Sequence, residues 1–127
     1  MLSKYWLACA VAILPSTVQA AVTTDTFTLQ TTADLVELCA TAPSDPMGTA
    51  AINFCHGFVV GVYRVLSEEN AAKRTHLFCA PNPMPSRNQA VADFVQWAKA
   101  NPSVMQDPPA DGVTAFIEKT LPCPRGK

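Results

Sequence analysis

The sequence predicts an all-α domain of four to five helices, closed by two disulfides and preceded by a cleaved signal peptide. Three observations carry this prediction: prolines fall in clusters, the intervals between clusters have helical periodicity, and four cysteines follow an N-terminal apolar run. Because proline breaks a helix interior but is accepted in its first turn, each cluster marks a helix boundary. The clusters are Pro43/Pro46, Pro81/Pro83/Pro85, Pro102/Pro108/Pro109 and Pro122/Pro124.

Residues 1–20 have the three parts of a secretion signal. Lys4 provides a positive start, Tyr5–Leu14 is an uninterrupted apolar run, and Val18-Gln19-Ala20 ends in a small residue that a signal peptidase admits. A membrane anchor is the alternative reading, but these ten apolar residues would span only about 15 Å as a helix, roughly half of a bilayer core. We therefore expect cleavage after Ala20, with loss of Cys9, and export from the cytoplasm.

Residues 21–127 are then one domain, large enough for a modest core. Eight Lys and Arg oppose ten Asp and Glu in this part of the chain, and no basic run remains. A nucleic acid or an anionic membrane would need a basic footprint, so neither is expected as a partner. A second apolar run of membrane length is also not expected.

Four cysteines remain after cleavage: Cys39, Cys55, Cys79 and Cys123. An even number in a short exported domain is typical of two disulfides, for which three pairings are possible. The spacings of 16, 24 and 44 residues lack the close-set C-x-x-C pairs of a metal centre or a thiol redox site. The sequence therefore predicts disulfides, with no metal and no cofactor.

The first two predicted helices lie on either side of the first proline cluster. Helix one covers Thr31–Ala42, with Thr31 as its N-cap and Asp34 in the first turn. Helix two follows an Asp45-Pro46 start and runs from residue 47 to about residue 70. Gly57 and Gly61, one turn apart, are expected to let another helix approach closely. The predicted apolar stripe of helix two is Ala51, Phe54, Cys55, Phe58, Val62, Val65 and Leu66.

Two further helices follow the later proline clusters. Helix three begins at Ser86, whose spacing to Gln89 predicts a capping box. Helix four follows Asp107-Pro108. Residues 21–30, with Phe27 and Leu29 alternating, are predicted to form a short extended arm. The expected apolar faces are Val91, Phe94, Val95 and Ala98 with Trp97 flanking on helix three, and Val113, Phe116, Ile117 and Leu121 on helix four.

The helix order predicts how the cysteines pair. Helices one and two are joined by a short turn and should pack antiparallel, which brings Cys39 opposite Cys55. Cys79 and Cys123, which follow helices two and four, then form the second bridge.

No catalytic arrangement is evident. His56 follows Cys55 beside the apolar stripe and is expected to be a boundary residue, although a pocket with Asp45 remains an open alternative. His76 is expected to face solvent at the end of helix two. Glu68 and Glu69 are adjacent on a helix, so their side chains point about 100° apart, which is poor geometry for a shared site. We predict that the protein is not an enzyme.

Binding is therefore the better class of function, and two surfaces are candidates. The first is the charged stretch that includes Glu68, Glu69, Lys73 and Arg74. The second is the loop Ala80–Pro85, whose alternating prolines favour an extended, stiff shape with little entropy to lose on binding. Asn82 and Met84 are the candidate contact residues of this loop. A simple connector held by Cys79 is an equally good interpretation of the loop.

Several segments together resemble the Rap/Tai immunity-protein family of type VI secretion systems. The matching residues are Phe27, Thr31 to Cys39, Asp45-Pro46, Phe54-Cys55-His56-Gly57-Phe58, Gly61, Phe78-Cys79-Ala80-Pro81, Phe94-Val95, Trp97, Asn101-Pro102 and Pro122-Cys123-Pro124. The resemblance covers nearly all of residues 21–127, and the order and positions of all four cysteines agree with it.

The resemblance implies a periplasmic, all-helical, often dimeric protein that binds a peptidoglycan amidase toxin and covers its catalytic groove. The quoted residues are cysteines, glycines, prolines and core aromatics, so the resemblance assigns no toxin-contacting position. A periplasmic chaperone or envelope-stress binding protein is the alternative function. A neighbouring amidase gene would favour immunity, and an isolated stress-induced gene would favour the alternative.

Overall fold

A computed structural model of the chain describes residues 21–124, so the predicted signal peptide lies outside the described residues. Four α-helices and two short 3-10 helices form this part, which contains no strand. The α-helices are α1 (Thr32–Cys39), α2 (Gly48–Ala72), α3 (Arg87–Ala100) and α4 (Pro109–Thr120). The 3-10 helices are Thr24–Thr28 before α1 and Pro102–Gln106 between α3 and α4. The all-α prediction is confirmed.

The short helix α1 lies at the centre of the packing and contacts α2, α3, α4 and both 3-10 helices. Its start is a reciprocal capping box: the Thr31 side chain accepts from the Asp34 amide, and the Asp34 carboxylate accepts from the Thr31 amide at 2.9 Å. Leu35 and Leu38 of α1 are fully buried, together with Phe94 of α3. The N-terminal prediction for α1 is therefore confirmed, but the helix ends at Cys39, three residues before the predicted end.

Both predicted disulfides are present. Cys39 and Cys55 join the end of α1 to the first half of α2, with an S–S distance of 2.02 Å. Cys79 and Cys123 join the loop after α2 to the segment after α4, also at 2.02 Å. Cys55 is completely buried, whereas Cys79 and Cys123 are half-buried. One bridge is therefore part of the core, and the other ties two peripheral segments together.

The start of α2 differs from its prediction. The helix begins at Gly48, and Met47 rather than Asp45 is its N-cap. The Asp45 side chain accepts from the Met47 amide at 2.8 Å, and the Asp45 carbonyl accepts from the Gly48 amide at 2.8 Å. Asp45 therefore closes the turn that precedes α2.

The apolar stripe predicted for α2 is wider than the face that is buried. Ala51, Cys55 and Val59 are buried, while Phe58, Val62 and Leu66 are partly buried against the core. Phe54 and Val65 are 38% and 57% exposed, which corrects their predicted burial. The helices α1, α3 and α4 cover only part of the circumference of this 25-residue helix. Its outer side is covered only in part, by an edge-to-face contact between the Phe54 and Phe27 rings with 5.6 Å between their centroids.

Gly57 and Gly61 also lie on the uncovered side of α2. An ideal Cβ built at either glycine meets no heavy atom within 4 Å. The expected close helix approach is therefore absent within the described chain.

Helix α2 is long and apolar enough to cross a membrane, by length and composition alone, because an 18-residue window of it has a mean hydropathy of 1.3. A second apolar run of membrane length was not expected from the sequence. Only 17% of that window is buried, so α2 leaves apolar surface uncovered.

Two other sequence predictions are corrected. Residues 24–28 form a 3-10 helix rather than an extended arm, because the Thr26 amide donates to the Thr23 carbonyl at 3.1 Å. At α3, Ser86 Oγ accepts from the Gln89 amide at 3.2 Å, as predicted. The Gln89 side chain instead donates to Asp93 at 2.7 Å, one turn further along α3. Only half of the predicted capping box is therefore formed.

Candidate functional site

An apolar cleft of about 500 Å³ lies between α2, α3, α4 and the loop before α3. Its walls are mainly aromatic and aliphatic, and they include Val59, Tyr63, Met84, Val91, Trp97 and Phe116. Volumes of this size are typical of sites that receive a small molecule or a side chain of a partner. The cleft is therefore a concave surface of suitable size for contact with a binding partner.

Aromatic contacts between α3 and α4 form one wall of the cleft. The Phe116 ring lies 5.6 Å from the Phe94 ring in an edge-to-face arrangement, and 5.7 Å from the Trp97 ring. Contacts of this kind fix ring orientations and add to the stabilisation from burial. Phe94 is fully buried and anchors this wall to the core. The wall is thus a preformed surface.

The proline loop Ala80–Pro85 forms the opposite rim. Cys79 holds its start through the disulfide to Cys123, and the Cys79 amide donates to the Leu121 carbonyl at 2.9 Å. The Tyr63 hydroxyl of α2 donates to the Met84 sulfur at 3.8 Å. Asn82 and Met84 are both exposed, Met84 by 52%. The loop is thus attached to the fold at its base and along its side.

The structure separates the six predicted partner-surface residues into two groups. Met84 lines the cleft and Asn82 lies in the same loop. Glu68, Glu69, Lys73 and Arg74 are exposed around the end of α2 and are not among the residues that line the cleft.

His56 lies where the cleft meets a second, more open depression that Ile52, Val95 and Lys99 help to line. It is half-buried, as expected of a boundary residue. Asp45 is not among the residues that line the cleft. The alternative of an Asp45–His56 pocket is therefore not supported.

The lining of the cleft combines apolar walls with a few polar side chains. Its lining, within the described residues, contains His56, Asp93 and Arg87 but no serine or cysteine that could act as a nucleophile. All four cysteines of the described chain are in disulfides. The polar residues are a minority beside apolar walls, which is the composition of a recognition site.

Sequence patterns did not indicate this cleft. Trp97 was expected only to flank the apolar face of α3, and Tyr63 was not singled out. The cleft forms where residues from three helices and a loop meet in the folded chain. The spacing of residues along the sequence does not predict that they meet. Two partial signals were available. The periodicity of α3 and α4 identified Val91 and Phe116 as apolar-face residues, and the alternating prolines identified Met84 as a candidate contact residue of the loop.

The fold and the site define a small, disulfide-bonded, all-α binding protein. More particularly, the chain belongs to the family of Rap1a immunity proteins, because the sequence profile of that family matches residues 31–123. The match includes all four α-helices and both disulfides. The family identifies the class of function as immunity to a toxin. No curated protein and no solved structure matches the chain.

Proposed function

We propose that this protein is a periplasmic immunity protein that binds and inhibits a peptidoglycan amidase toxin of a type VI secretion system. The observation that carries the proposal is membership of the Rap1a immunity family over residues 31–123. The signal-like residues 1–20 and the two disulfides support an oxidising compartment outside the cytoplasm. Peptidoglycan is present in that compartment, so an amidase toxin would act there.

Inhibition requires binding and no chemistry by this chain. A partner that covers the catalytic groove of the toxin excludes its substrate without any catalytic group of its own. The proline loop and the apolar cleft suit this task, since a stiff loop beside a preformed apolar surface has little conformational entropy to lose on binding. Exposed Met84, next to the aromatic wall, has the character of a residue that anchors an interface.

The proposal is tested with a candidate peptidoglycan amidase, sought first among the genes that neighbour this one. The two proteins are co-expressed with export to the periplasm, co-purified, and assayed for cleavage of isolated cell walls. We expect a stable complex and loss of amidase activity as the immunity protein approaches one equivalent. An amidase that stays fully active with an excess of this protein contradicts the proposal.

A matched pair of variants tests the location of the toxin surface. Met84→Glu places a charge in the proline loop, and Leu77→Glu places the same charge at another exposed apolar residue, which is 43% exposed. We expect Met84→Glu to weaken inhibition at least tenfold, because a charge would be desolvated in an apolar interface. Titration of amidase activity gives the two inhibition constants. Equal constants for the two variants contradict a toxin surface at the loop.

A periplasmic chaperone is the second candidate function, and the observation that favours it is the combination of an apolar cleft and uncovered apolar residues on α2. A chaperone would suppress aggregation of unrelated unfolded exported proteins at stoichiometric concentrations. An immunity protein would bind one amidase and leave such aggregation unchanged. Light scattering of an unfolding reporter protein separates the two functions.

We also propose that the protein forms a homodimer through the uncovered face of α2, defined by Phe54, Gly57, Gly61 and Val65. Small residues flanked by exposed apolar side chains allow two helices to approach closely. In an isologous pair of antiparallel helices that cross near Gly57 and Gly61, neither glycine has a side chain to keep the two backbones apart.

A further inference from the structure

The apolar cleft and the open depression beside it are adjacent parts of one surface. His56, Val91 and Gln96 line both of them. The cleft has mainly apolar walls, and the depression adds the polar side chains of Asn88 and Lys99. An apolar hollow therefore opens beside a hollow that carries a cation.

Both walls of the cleft are held in place without a ligand. The Tyr63 ring of α2 lies 6.0 Å from the buried Phe78 ring, and its hydroxyl donates to the Met84 sulfur at 3.8 Å. On the other side, the Trp97 ring lies 5.7 Å from the Phe116 ring. A preformed hollow of about 500 Å³ with aromatic and aliphatic walls and few polar groups has the composition of a small-molecule site.

The charges around the two hollows favour an anionic ligand. Arg87 and Lys99 are the Lys and Arg residues that line them, and Asp93 is the one carboxylate among the described lining residues. Asp93 lines only the cleft, and its carboxylate already accepts from the Gln89 side chain at 2.7 Å. Residues 21–127 have the opposite balance, with eight Lys and Arg against ten Asp and Glu. The surface is therefore locally cationic on an acidic domain.

We propose that this surface binds one fatty-acid molecule, which is a single hydrocarbon chain with a carboxylate head. The chain lies in the cleft between Tyr63 and Trp97, where burial of each methylene is favourable. The head lies in the open depression, where the Lys99 ammonium pairs with it and a ring N–H of His56 can donate a hydrogen bond. Because the depression is open to water, the carboxylate is not buried without a partner.

Other occupants use only part of this surface. A neutral apolar molecule leaves Lys99 without a partner, and a positively charged amphiphile meets the two cations, Arg87 and Lys99, at the rim. An apolar side chain of a protein partner, or of a second copy, fills the cleft but brings no carboxylate to the depression. These occupants are therefore the alternatives that the experiment must separate.

The test uses the intrinsic fluorescence of the protein purified from the periplasm with both disulfides intact. Trp97 is the only tryptophan in residues 21–127, so its emission reports on the cleft. Saturated carboxylates from octanoate to tetradecanoate are added below the concentrations at which they form micelles. We expect a saturable change at one equivalent, with unchanged helical circular dichroism. The affinity should rise up to about fourfold per added methylene until the chain fills the cleft.

The head group is tested with dodecanoate, dodecan-1-ol and dodecylammonium. We expect dodecanoate to bind most tightly of the three. Lys99→Gln should weaken binding of dodecanoate by about two- to fivefold, the range for an exposed ion pair, and should leave dodecan-1-ol unaffected. Lys73→Gln, at an exposed lysine that lines neither hollow, is the matched control and should leave both affinities unchanged.

The position of the chain is tested with a pair of leucine variants. Ala90→Leu adds bulk to a half-buried residue that lines the cleft, and we expect it to weaken binding of dodecanoate by about fivefold or more. Ala110→Leu, at an exposed alanine of α4 that lines neither hollow, is its control.

Four results would overturn the fatty-acid site. They are unchanged Trp97 emission with all the amphiphiles, equal affinities for the three head groups, equal effects of the two leucine variants, and loss of helical circular dichroism at the binding concentration. Emission that changes with protein concentration alone would place a second copy in the cleft and would also overturn it. None of these results involves the amidase, so a failure here leaves the proposed immunity function standing.

Discussion

Two buried polar residues, Thr32 and Asn70, form side-chain hydrogen bonds to the backbone of other segments. Thr32, fully buried at the start of α1, donates through Oγ1 to the carbonyls of Asp107 and Pro108, at 3.0 and 3.2 Å. Asn70, at the end of α2, satisfies the Leu77 amide and the Phe78 carbonyl. In both cases a buried polar side chain has its own hydrogen-bonding groups satisfied and links its helix to the backbone of another segment, which keeps its burial from being costly.

Replacing Asn70 with alanine should destabilise the fold. The change leaves the Leu77 amide and the Phe78 carbonyl without their partner, and unpaired buried groups of this kind cost about 1–3 kcal/mol each. We expect the free energy of unfolding, from urea denaturation, to fall by about 2 kcal/mol or more. Asn53→Ala, at an exposed position of the same helix, is the control and should be close to neutral. Equal effects of the two changes would contradict the bridging role of Asn70.

At the scale of the elements, two glycines in helices have opposite surroundings. A Cβ at Gly112 of α4 would lie 2.6 Å from Thr32 Cγ2 and closer still to Thr32 Oγ1. Gly112 is therefore where α1 and α4 approach each other most tightly. A Cβ at Gly61 of α2 would meet nothing. Packing against Thr32 therefore requires a glycine at position 112. At position 61 the described chain imposes no such requirement.

Alanine at these two glycines should change stability in opposite directions. For Gly61→Ala we expect a gain of about 1 kcal/mol in the free energy of unfolding of the dilute protein, because alanine has the higher helix propensity. For Gly112→Ala the same gain is outweighed by overpacking against Thr32, which typically costs about 1–3 kcal/mol. Urea denaturation of both variants measures the contrast. A stabilised Gly112→Ala variant would show that α1 and α4 are not in close contact there.

The proposed dimer through the uncovered face of α2 predicts that a charge introduced on this face weakens dimerisation. Val65→Glu places a charge at a residue that is 57% exposed in the single chain, so the fold of one copy should tolerate it. In the proposed dimer this charge would be buried near apolar side chains, and we expect the dissociation constant to rise at least tenfold. Light scattering after size-exclusion chromatography measures the mass. Leu77→Glu, at an exposed apolar residue outside this face, is the control and should leave the dissociation constant unchanged. If the protein without any substitution is monomeric at all concentrations, the proposed dimer is contradicted.

For the whole molecule, the two disulfides differ in what they constrain. Cys39–Cys55 closes a loop of 16 residues inside the core, and Cys79–Cys123 closes a loop of 44 residues at the periphery. The entropy model assigns roughly 3 kcal/mol to the first bridge and roughly 4 kcal/mol to the second. A domain of this size has a small core, so the bridges contribute a large share of the stability.

The exposed bridge should be reduced first. In the first bridge Cys55 is fully buried and Cys39 is half-buried, whereas in the second both Cys79 and Cys123 are half-buried, so a mild reductant has readier access to the second pair. After brief reduction, we expect alkylation to label Cys79 and Cys123 while the Cys39–Cys55 bridge still links α1 to α2. The labelled protein should have a lower melting temperature than the fully bridged protein. Mass spectrometry identifies the labelled peptides, and circular dichroism follows melting. Labelling of Cys39 and Cys55 at the same rate would contradict this order.

Much of the fold could be predicted from the sequence because its signals are local. Prolines cannot continue a helix, so their clusters divided the chain correctly into four helices, and the Thr31–Asp34 spacing located the start of α1. The disulfide pairing followed from the order of the helices and one short turn. The predicted arm at residues 24–28 was wrong because alternating apolar residues do not record the hydrogen bond that closes a 3-10 turn.

What the tertiary structure alone decided is which surfaces meet. Periodicity marked Phe54 and Val65 as buried, but burial depends on how far other elements cover that side of α2, and there Phe27 covers Phe54 only in part. The cleft beside Met84 arises from segments far apart in the chain, so no spacing of residues along the sequence could reveal it. The sequence by itself determined the number and order of the four α-helices, the start of α1 and the disulfide pairing, because those depend on backbone geometry and chain order. The binding surfaces depend on how the helices pack, and only the folded chain shows them.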